Sequence, residues 1–240
     1  MVRMLRTLPF ALALAALSLF TAGCGSGSGT KFRLVNAIAD VPGNQGIDVY
    51  IDGKNVETVQ FATAPSGYLS VSSGSRHVQL FLTGTTAAPY FDDPNMSFNA
   101  GTAYTLVATG SVTDNTIVMP QFTDNNPVPT SGNAALRIIQ ASPAGLGGNP
   151  AVDIYIVGPG GGLPGTTPDI SNVVYPAASG YKTLPAGTYD LLLTPAGIAS
   201  LNIRMAGASF SSANSYTYVL VDVQGGGEMS STPVPLTDNQ

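Results

Sequence analysis

Ile47-Asp48-Val49-Tyr50-Ile51-Asp52-Gly53 is the stretch that decides the fold. Apolar Ile47, Val49 and Ile51 alternate with Asp48, Tyr50 and Asp52, the period of two expected of a half-buried strand. Asp52-Gly53 then supplies a hairpin turn, because glycine reaches positive φ without steric cost. The pattern returns as Val152-Asp153-Ile154-Tyr155-Ile156, and the neighbours of both copies repeat in the same order. Phe32-Arg33-Leu34-Val35-Asn36-Ala37 is echoed by Leu136-Arg137-Ile138-Ile139-Gln140-Ala141, and Ser66-Gly67-Tyr68 by Ser179-Gly180-Tyr181. Ala103-Tyr104-Thr105-Leu106-Val107 is echoed by Ser215-Tyr216-Thr217-Tyr218-Val219, and Thr123-Asp124-Asn125 by Thr237-Asp238-Asn239. Chance rarely preserves both order and spacing, so the chain reads as a tandem repeat.

Each copy is β throughout. His77 to Leu82 and Tyr104 to Ala108 read as further strands of the first copy. Tyr189 to Leu193, Leu201 to Met205 and Tyr216 to Val223 read as strands of the second. Short strands with turn signals every 8–12 residues point to an immunoglobulin-like sandwich, without the Cys…Trp…Cys signature of antibody domains. The expected fold is therefore all-β, two tandem immunoglobulin-like β-sandwich domains behind a cleaved signal helix. The expected boundaries are residues 31–124 for the first repeat and 134–240 for the second. Residues 125–133, polar and proline-containing, form a semi-extended linker between them. The second copy carries a longer loop, Gly158 to Asn172, rich in Gly and Pro.

The N-terminus is laid out as a secretory signal, residues 1–23. Arg3 and Arg6 precede an apolar run from Leu8 to Phe20 that is broken only by Pro9 and Ser18. The run is shorter than the roughly 20 residues a spanning helix needs. It ends at Thr21-Ala22-Gly23-Cys24, and a Gly/Ser tether follows over residues 24–30. Small residues before a cysteine, directly after an apolar run, resemble the lipobox of bacterial lipoproteins. That resemblance implies cleavage before Cys24 and acylation of its thiol and new amino group. Thr21 departs from it, standing where leucine is usual. Cys24 is the one cysteine of the chain, so the mature protein can form no intramolecular disulfide. Lipid on Cys24 places the protein in the cell envelope, at the outer membrane if the host is Gram-negative, since Gly25 and Ser26 offer no aspartate-type retention signal.

Composition narrows the function classes. Only 10% of residues are charged, against a norm near 25%. Loss of Arg3 and Arg6 leaves seven basic residues facing fourteen acidic ones. No basic patch is available to neutralise phosphates, which excludes the usual modes of nucleic-acid binding. The lipid, not protein charge, must hold the chain to its membrane.

The repeated stretches resemble domain of unknown function 4397, a family of bacterial envelope domains often found in tandem and in lipoproteins. Arg33 to Ala37, Ile47 to Gly53, Ser66 to Tyr68 and Tyr104 to Val107 carry the likeness in the first copy. Leu136 to Pro143, Val152 to Ile156, Ser179 to Tyr181, Leu184-Pro185-Ala186-Gly187 and Tyr216 to Val219 carry it in the second. The first copy departs with Val71-Ser72-Ser73-Gly74 in place of Leu-Pro-Ala-Gly, and with Ala39-Asp40 in place of Ser-Pro. The resemblance implies fold and location; it brings no activity and no catalytic residue.

Little chemistry is visible. His77 is the one histidine, lies on an expected strand, and has no nucleophile elbow beside it. One His and no mature Cys cannot build the usual zinc site, so no metal and no cofactor is expected. Asp92-Asp93, on an expected loop with Asn95, and the loop from Asp40 to Gln45 are oxygen-rich, but neither has calcium-loop spacing. Arg33 with Asp48, and Arg137 with Asp153, are expected to form cross-strand ion pairs that tie neighbouring strands. Tyr50, Tyr155, Tyr68 and Tyr181 repeat between the copies and read as closing core edges. The candidate binding loop is the one present in a single copy, with Gly160, Gly161, Leu163 and Asp169. Gly160-Gly161-Gly162 lacks the lysine of a phosphate-binding loop. The favoured expectation is a non-enzymatic binding or structural module that engages an envelope protein or glycan. The alternatives are an envelope hydrolase using Asp92 and Asp93, and a surface protein that self-associates through open strand edges.

Overall fold

A computed structural model describes residues 29–165, 167–200 and 203–238. The signal segment and Cys24, on which the lipid expectation rests, lie outside the described residues, as does Asn239 of the tail echo. The described chain is all-β, with sixteen strands, one 3-10 turn at Pro42–Asn44 and no α-helix. The first half runs β1 (Lys31–Asn36), β2 (Ile47–Ile51), β3 (Lys54–Val59), β4 (Leu69–Ser70), β5 (Gly74–Leu82), β6 (Phe91–Phe98), β7 (Ala103–Ala108) and β8 (Gln121–Thr123). The second half runs β9 (Asn133–Gln140), β10 (Ala151–Val157), β11 (Ile170–Val174), β12 (Lys182–Pro185), β13 (Gly187–Pro195), β14 (Ile203–Phe210), β15 (Ser215–Leu220) and β16 (Val234–Thr237).

These strands form four sheets of four. The first half builds β3-β2-β5-β6 and β4-β1-β7-β8; the second builds β11-β10-β13-β14 and β12-β9-β15-β16. Strand for strand, the second half reproduces the first. Neighbours are antiparallel except for β1 with β7 and β9 with β15, which run parallel in matching register. The β2–β3 hairpin turns on Asp52 and Gly53, with φ of 51° and 76°, the left-handed pair a two-residue hairpin needs.

Side chains on alternate positions go to different cores. Phe32 and Leu34 of β1 pack with Ile47, Val49, Leu80 and Phe98 between the two sheets of the first half. Leu136 and Ile138 of β9 pack with Val152, Ile154, Leu191 and Phe210 in the second. The opposite faces of these same inner strands meet each other: Val35, Ala37 and Val107 pack with Ile139, Ala141, Val219 and Val234. The sheets therefore stack in four layers, and the central strands of the two inner sheets are covered on both faces. That explains why β1, β7 and β9 are buried at every position after the first. Near-continuous burial is the mark of strands covered on both sides. Each Val or Ile hidden in the seam stabilises the stack by about 1.5–3 kcal/mol.

Two expectations change here. Asp92 and Asp93 lie on strand β6, not on a loop. Pro94 beside them disfavours a central strand, but β6 is an edge strand, where a missing N–H breaks no ladder. The long loop of the second half ends at Asp169, because β11 already begins at Ile170.

Candidate functional site

The expected pairs Arg33–Asp48 and Arg137–Asp153 do not form. β1 and β2 belong to different sheets, as do β9 and β10, so residues on them cannot meet as cross-strand neighbours. Asp48 points away from the seam and accepts hydrogen bonds from the Thr58 hydroxyl at 2.6 Å and the Gly84 N–H at 3.0 Å. Asp153 accepts from the N–H groups of Asn172 at 2.7 Å and Gly197 at 2.8 Å. Each aspartate ties a neighbouring strand and a turn to its own strand.

The arginines instead cross the seam, each to the other half. Arg33 donates through Nη2 to Asp238 Oδ1 and through Nη1 to the Thr237 carbonyl at 3.1 Å. Arg137 donates through Nη2 to Asp124 Oδ1 at 2.6 Å and through Nη1 to the Thr123 carbonyl at 3.2 Å. Each Nε is held at home, by Thr105 at 2.8 Å and Thr217 at 2.9 Å. Those threonines donate in turn to Asp124 Oδ2 at 2.7 Å and Asp238 Oδ2 at 2.6 Å. Tyr68 and Tyr181 complete the pattern, donating to Asp124 at 2.6 Å and Asp238 at 2.8 Å. Arg33 and Arg137 lie over the rings of Tyr68 and Tyr181, 4.9 and 5.0 Å from their centroids. Burial, together with the adjacent carboxylate, pushes both phenols far above their ordinary pKa and keeps them as donors.

All four charged side chains are at most 4% exposed. Two positive and two negative charges cancel, and every group has several partners, the condition under which buried ions are tolerated. Arg33 also lies 3.5 Å from Asp124, so that aspartate faces both arginines.

Elsewhere on the seam lies an open groove of about 440 Å³, lined by Asp40, Ser111, Asp114, Asp222 and the glycines 225–227. Burial pushes the Asp40 carboxyl up, but hydrogen bonds from the N–H groups of Thr113 and Val112 and from Ser111 outweigh it, and its pKa falls below the ordinary value. Asp222 is pushed the other way, by burial and by the charge of Asp40, against a bond from the Ser142 hydroxyl. Each carboxylate is thus engaged by its own half, Asp40 by the 111–113 turn and Asp222 by Ser142. The Gly225 N–H donates to the Ala39 carbonyl at 2.8 Å, and the Thr109 hydroxyl to the Ala141 carbonyl at 2.6 Å, both across the seam.

The model for a domain of unknown function, DUF4397, matches residues 30–155, a little over half of the chain. The chain belongs to that family. The match takes in the whole first half, β9 and most of β10, and ends before the rest of the second half. No curated protein matches the chain. Among solved structures it is similar to a leucine-rich repeat protein from Bacteroides thetaiotaomicron, with 15% identity and a TM-score of 0.21. That likeness covers 83% of this chain but 27% of the other, and is too slight to inform fold or role.

In this DUF4397 chain the candidate loop is stapled down over its first residues. The Gly160 N–H donates to Asp190 Oδ2 at 2.9 Å, and Arg204 holds the Gly161 carbonyl at 2.7 Å while bridging to Asp190 at 2.6 Å. Asp169 at the far end accepts from the Ile156 N–H at 2.9 Å and lies 3.7 Å from Lys182. Leu163 between them is half-buried. Tyr155 is buried, and Tyr50 packs edge-on to Phe81 at 5.1 Å between centroids. His77 and Asp92 meet at 2.6 Å on the exposed face of the β5–β6 hairpin, whereas Asp93 caps the Asn95 N–H at 2.8 Å. Successive strand residues face opposite ways, so Asp92 and Asp93 do not converge on one cleft. Among the described residues no three His, Cys, Asp or Glu side chains are grouped as a metal ion would need. Strand edges β3, with Lys54 and Glu57, and β6, with Asp92, Asp93 and Pro94, carry the charges and proline that discourage edge-to-edge pairing.

The seam residues were the ones hardest to assign from the chain alone. Their signal was an arginine inside an apolar run, flanked by Phe32 and Leu34 in one copy and Leu136 and Ile138 in the other. An Asp repeated at the end of each copy was the second half of that signal.

Proposed function

We propose that this DUF4397 chain is a lipid-anchored, non-enzymatic structural or binding module of the bacterial cell envelope. Each half is read as one immunoglobulin-like sandwich, residues 31–124 and 134–240, with residues 125–133 between them. Matching strand orders and a separate apolar cluster in each half support that reading. The single observation that carries the function is the crossed Arg–Asp seam. It joins both halves into one stiff body, with its strongest polar groups engaged in holding that body together. Anchored through lipid on Cys24, such a body displays its loops to a protein or glycan of the envelope. Six residues, Gly25 to Thr30, separate Cys24 from strand β1 and reach at most about 22 Å. The body is thereby kept close to the membrane, at the outer membrane in a Gram-negative host.

The anchor is tested by labelling cells with a palmitate analogue and fractionating them. The natural chain should carry label and sediment with membranes. Cys24→Ala should lose the label and leave the membrane fraction. A Cys24→Ala chain that remains labelled and membrane-bound would overturn the reading.

A further inference from the structure

The seam is built by exchange. Each arginine donates Nη1 to a carbonyl and Nη2 to a carboxylate of the other half, at matching distances, and keeps Nε for a threonine of its own half. The apolar part of the seam is likewise drawn from corresponding positions, Val35 with Ile139 and Val107 with Val219. This is the pattern of an isologous interface, in which one surface meets its own equivalent. Each half also keeps a core that the seam does not share. Residues 124–132 are the only covalent link between the last strand of one half and the first strand of the next.

We propose that this docking face is transferable between molecules, with a second copy of this chain as its partner. Two chains exchange their second halves and rebuild both crossed networks, Arg33 to the partner's Asp238 and Arg137 to the partner's Asp124. The inference rests on the tandem reading above. The buried charges set the selectivity: an arginine docked without its aspartate leaves a stranded charge in an apolar layer, so only the complementary register is populated. The short linker holds the two faces at an effective concentration of the order of millimolar, which favours the closed monomer in dilute solution. Exchange takes over when chains refold together at comparable concentration, or when closure within one chain is blocked.

The test uses the full mature chain with Cys24→Ala. One variant carries Arg33→Asp with Asp124→Arg, and a second carries Arg137→Asp with Asp238→Arg. Within either chain like charges now oppose each other across the seam. Unfolded and refolded together, the two should give a 1:1 dimer of twice the monomer mass by light scattering, with reversed half on reversed half and natural half on natural half. A mixture that yields only the species each variant forms alone would overturn the proposal. A chain with all four reversals shows whether the reversed contact folds. If it does not, the unreversed chain refolded at about 1 mM decides. A discrete dimer whose share rises with concentration supports exchange, and monomer at every concentration sinks it. Failure of the tandem reading looks different, because both variants then lose all β signal instead of giving folded monomers.

Discussion

In the first half His77 of β5 faces Asp92 of β6; at the matching positions of the second half Asp190 of β13 faces Arg204 of β14, with the acidic residue on the other strand. The rims differ in a second way. Gln121 of β8 donates to the Ser97 carbonyl at 3.1 Å and bridges the two sheet edges, whereas its counterpart is Pro235, which has no donor to offer. There the second half has a groove of about 470 Å³ lined by Arg204, Met205, Tyr218, Pro233 and Pro235. In the crossed Arg–Asp network nothing of the kind has changed. Arg, Thr, Tyr and Asp recur at four corresponding positions in both halves. A rim pair is complete within one half and can be replaced together. A crossed arginine or its aspartate has its partner in the other half, so a change on one side strands a buried charge on the other.

The largest test of that contrast is removal of a seam carboxylate. Asp124→Ala leaves Arg137 without its anion and Thr105 and Tyr68 without their acceptor, and should cost about 3–5 kcal/mol in urea unfolding. Asp238→Ala does the same to Arg33, Thr217 and Tyr181. Asp124 also lies near Arg33, so its loss should be the more damaging of the two. Equal and small losses, below about 1 kcal/mol, would show that the crossed pairs do not hold the halves.

How much of this was legible in the chain depends on which direction the information runs. Strands, turns and the repeat lie along the sequence, so Ile47 to Gly53 and its echo announced an all-β chain. Pairing across sheets does not run along it. Arg33 and Asp48 are close in order but go to different sheets, while Arg33 and Asp238 are nearly a chain apart and touch. The echo of Thr123-Asp124 in Thr237-Asp238 was visible, yet nothing local says that each aspartate serves the other copy. A charged residue amid Phe32, Leu34 and Val35 does say that its strand is covered on both faces, since an exposed face would have put polar residues at Val35 and Ala37 too. The acid groove was not legible at all, because Asp40 and Asp222 come from turns that only the docked halves bring together.

At the rim, effects should be smaller and unequal. Asp190 receives the N–H groups of Gly160 and Gly207 as well as Arg204, and these bonds hold its carboxyl below the ordinary pKa. Asp190→Ala should therefore cost about 1–3 kcal/mol and raise amide exchange across Gly158 to Gly161. His77→Ala removes a half-exposed pair and should cost at most about 1 kcal/mol. If the two substitutions cost the same, the loop is not held by Asp190.

The groove offers the finest comparison, because its two carboxyls are pushed in opposite directions. Asp222 has a folded-state pKa raised above 3.8 by burial, so the folded protein holds its proton more tightly than the unfolded chain. Its contribution to stability is fully present below 3.8 and is lost as pH rises through the raised value. Asp40 is lowered, so its contribution is present above 3.8 and is lost as pH falls through the lower, folded value. Asp222→Asn keeps an acceptor for the Ser142 hydroxyl and cannot ionise. Its stability relative to the natural chain should therefore climb as pH rises above 3.8. Asp40→Asn should show the reverse dependence at the acid end: its deficit against the natural chain shrinks as pH drops below 3.8. Urea midpoints for the three proteins across pH 2.5 to 7, taken at one ionic strength, separate the cases. Curves that stay parallel would mean that the 111–113 turn does not hold Asp40 and that burial does not hold the proton on Asp222.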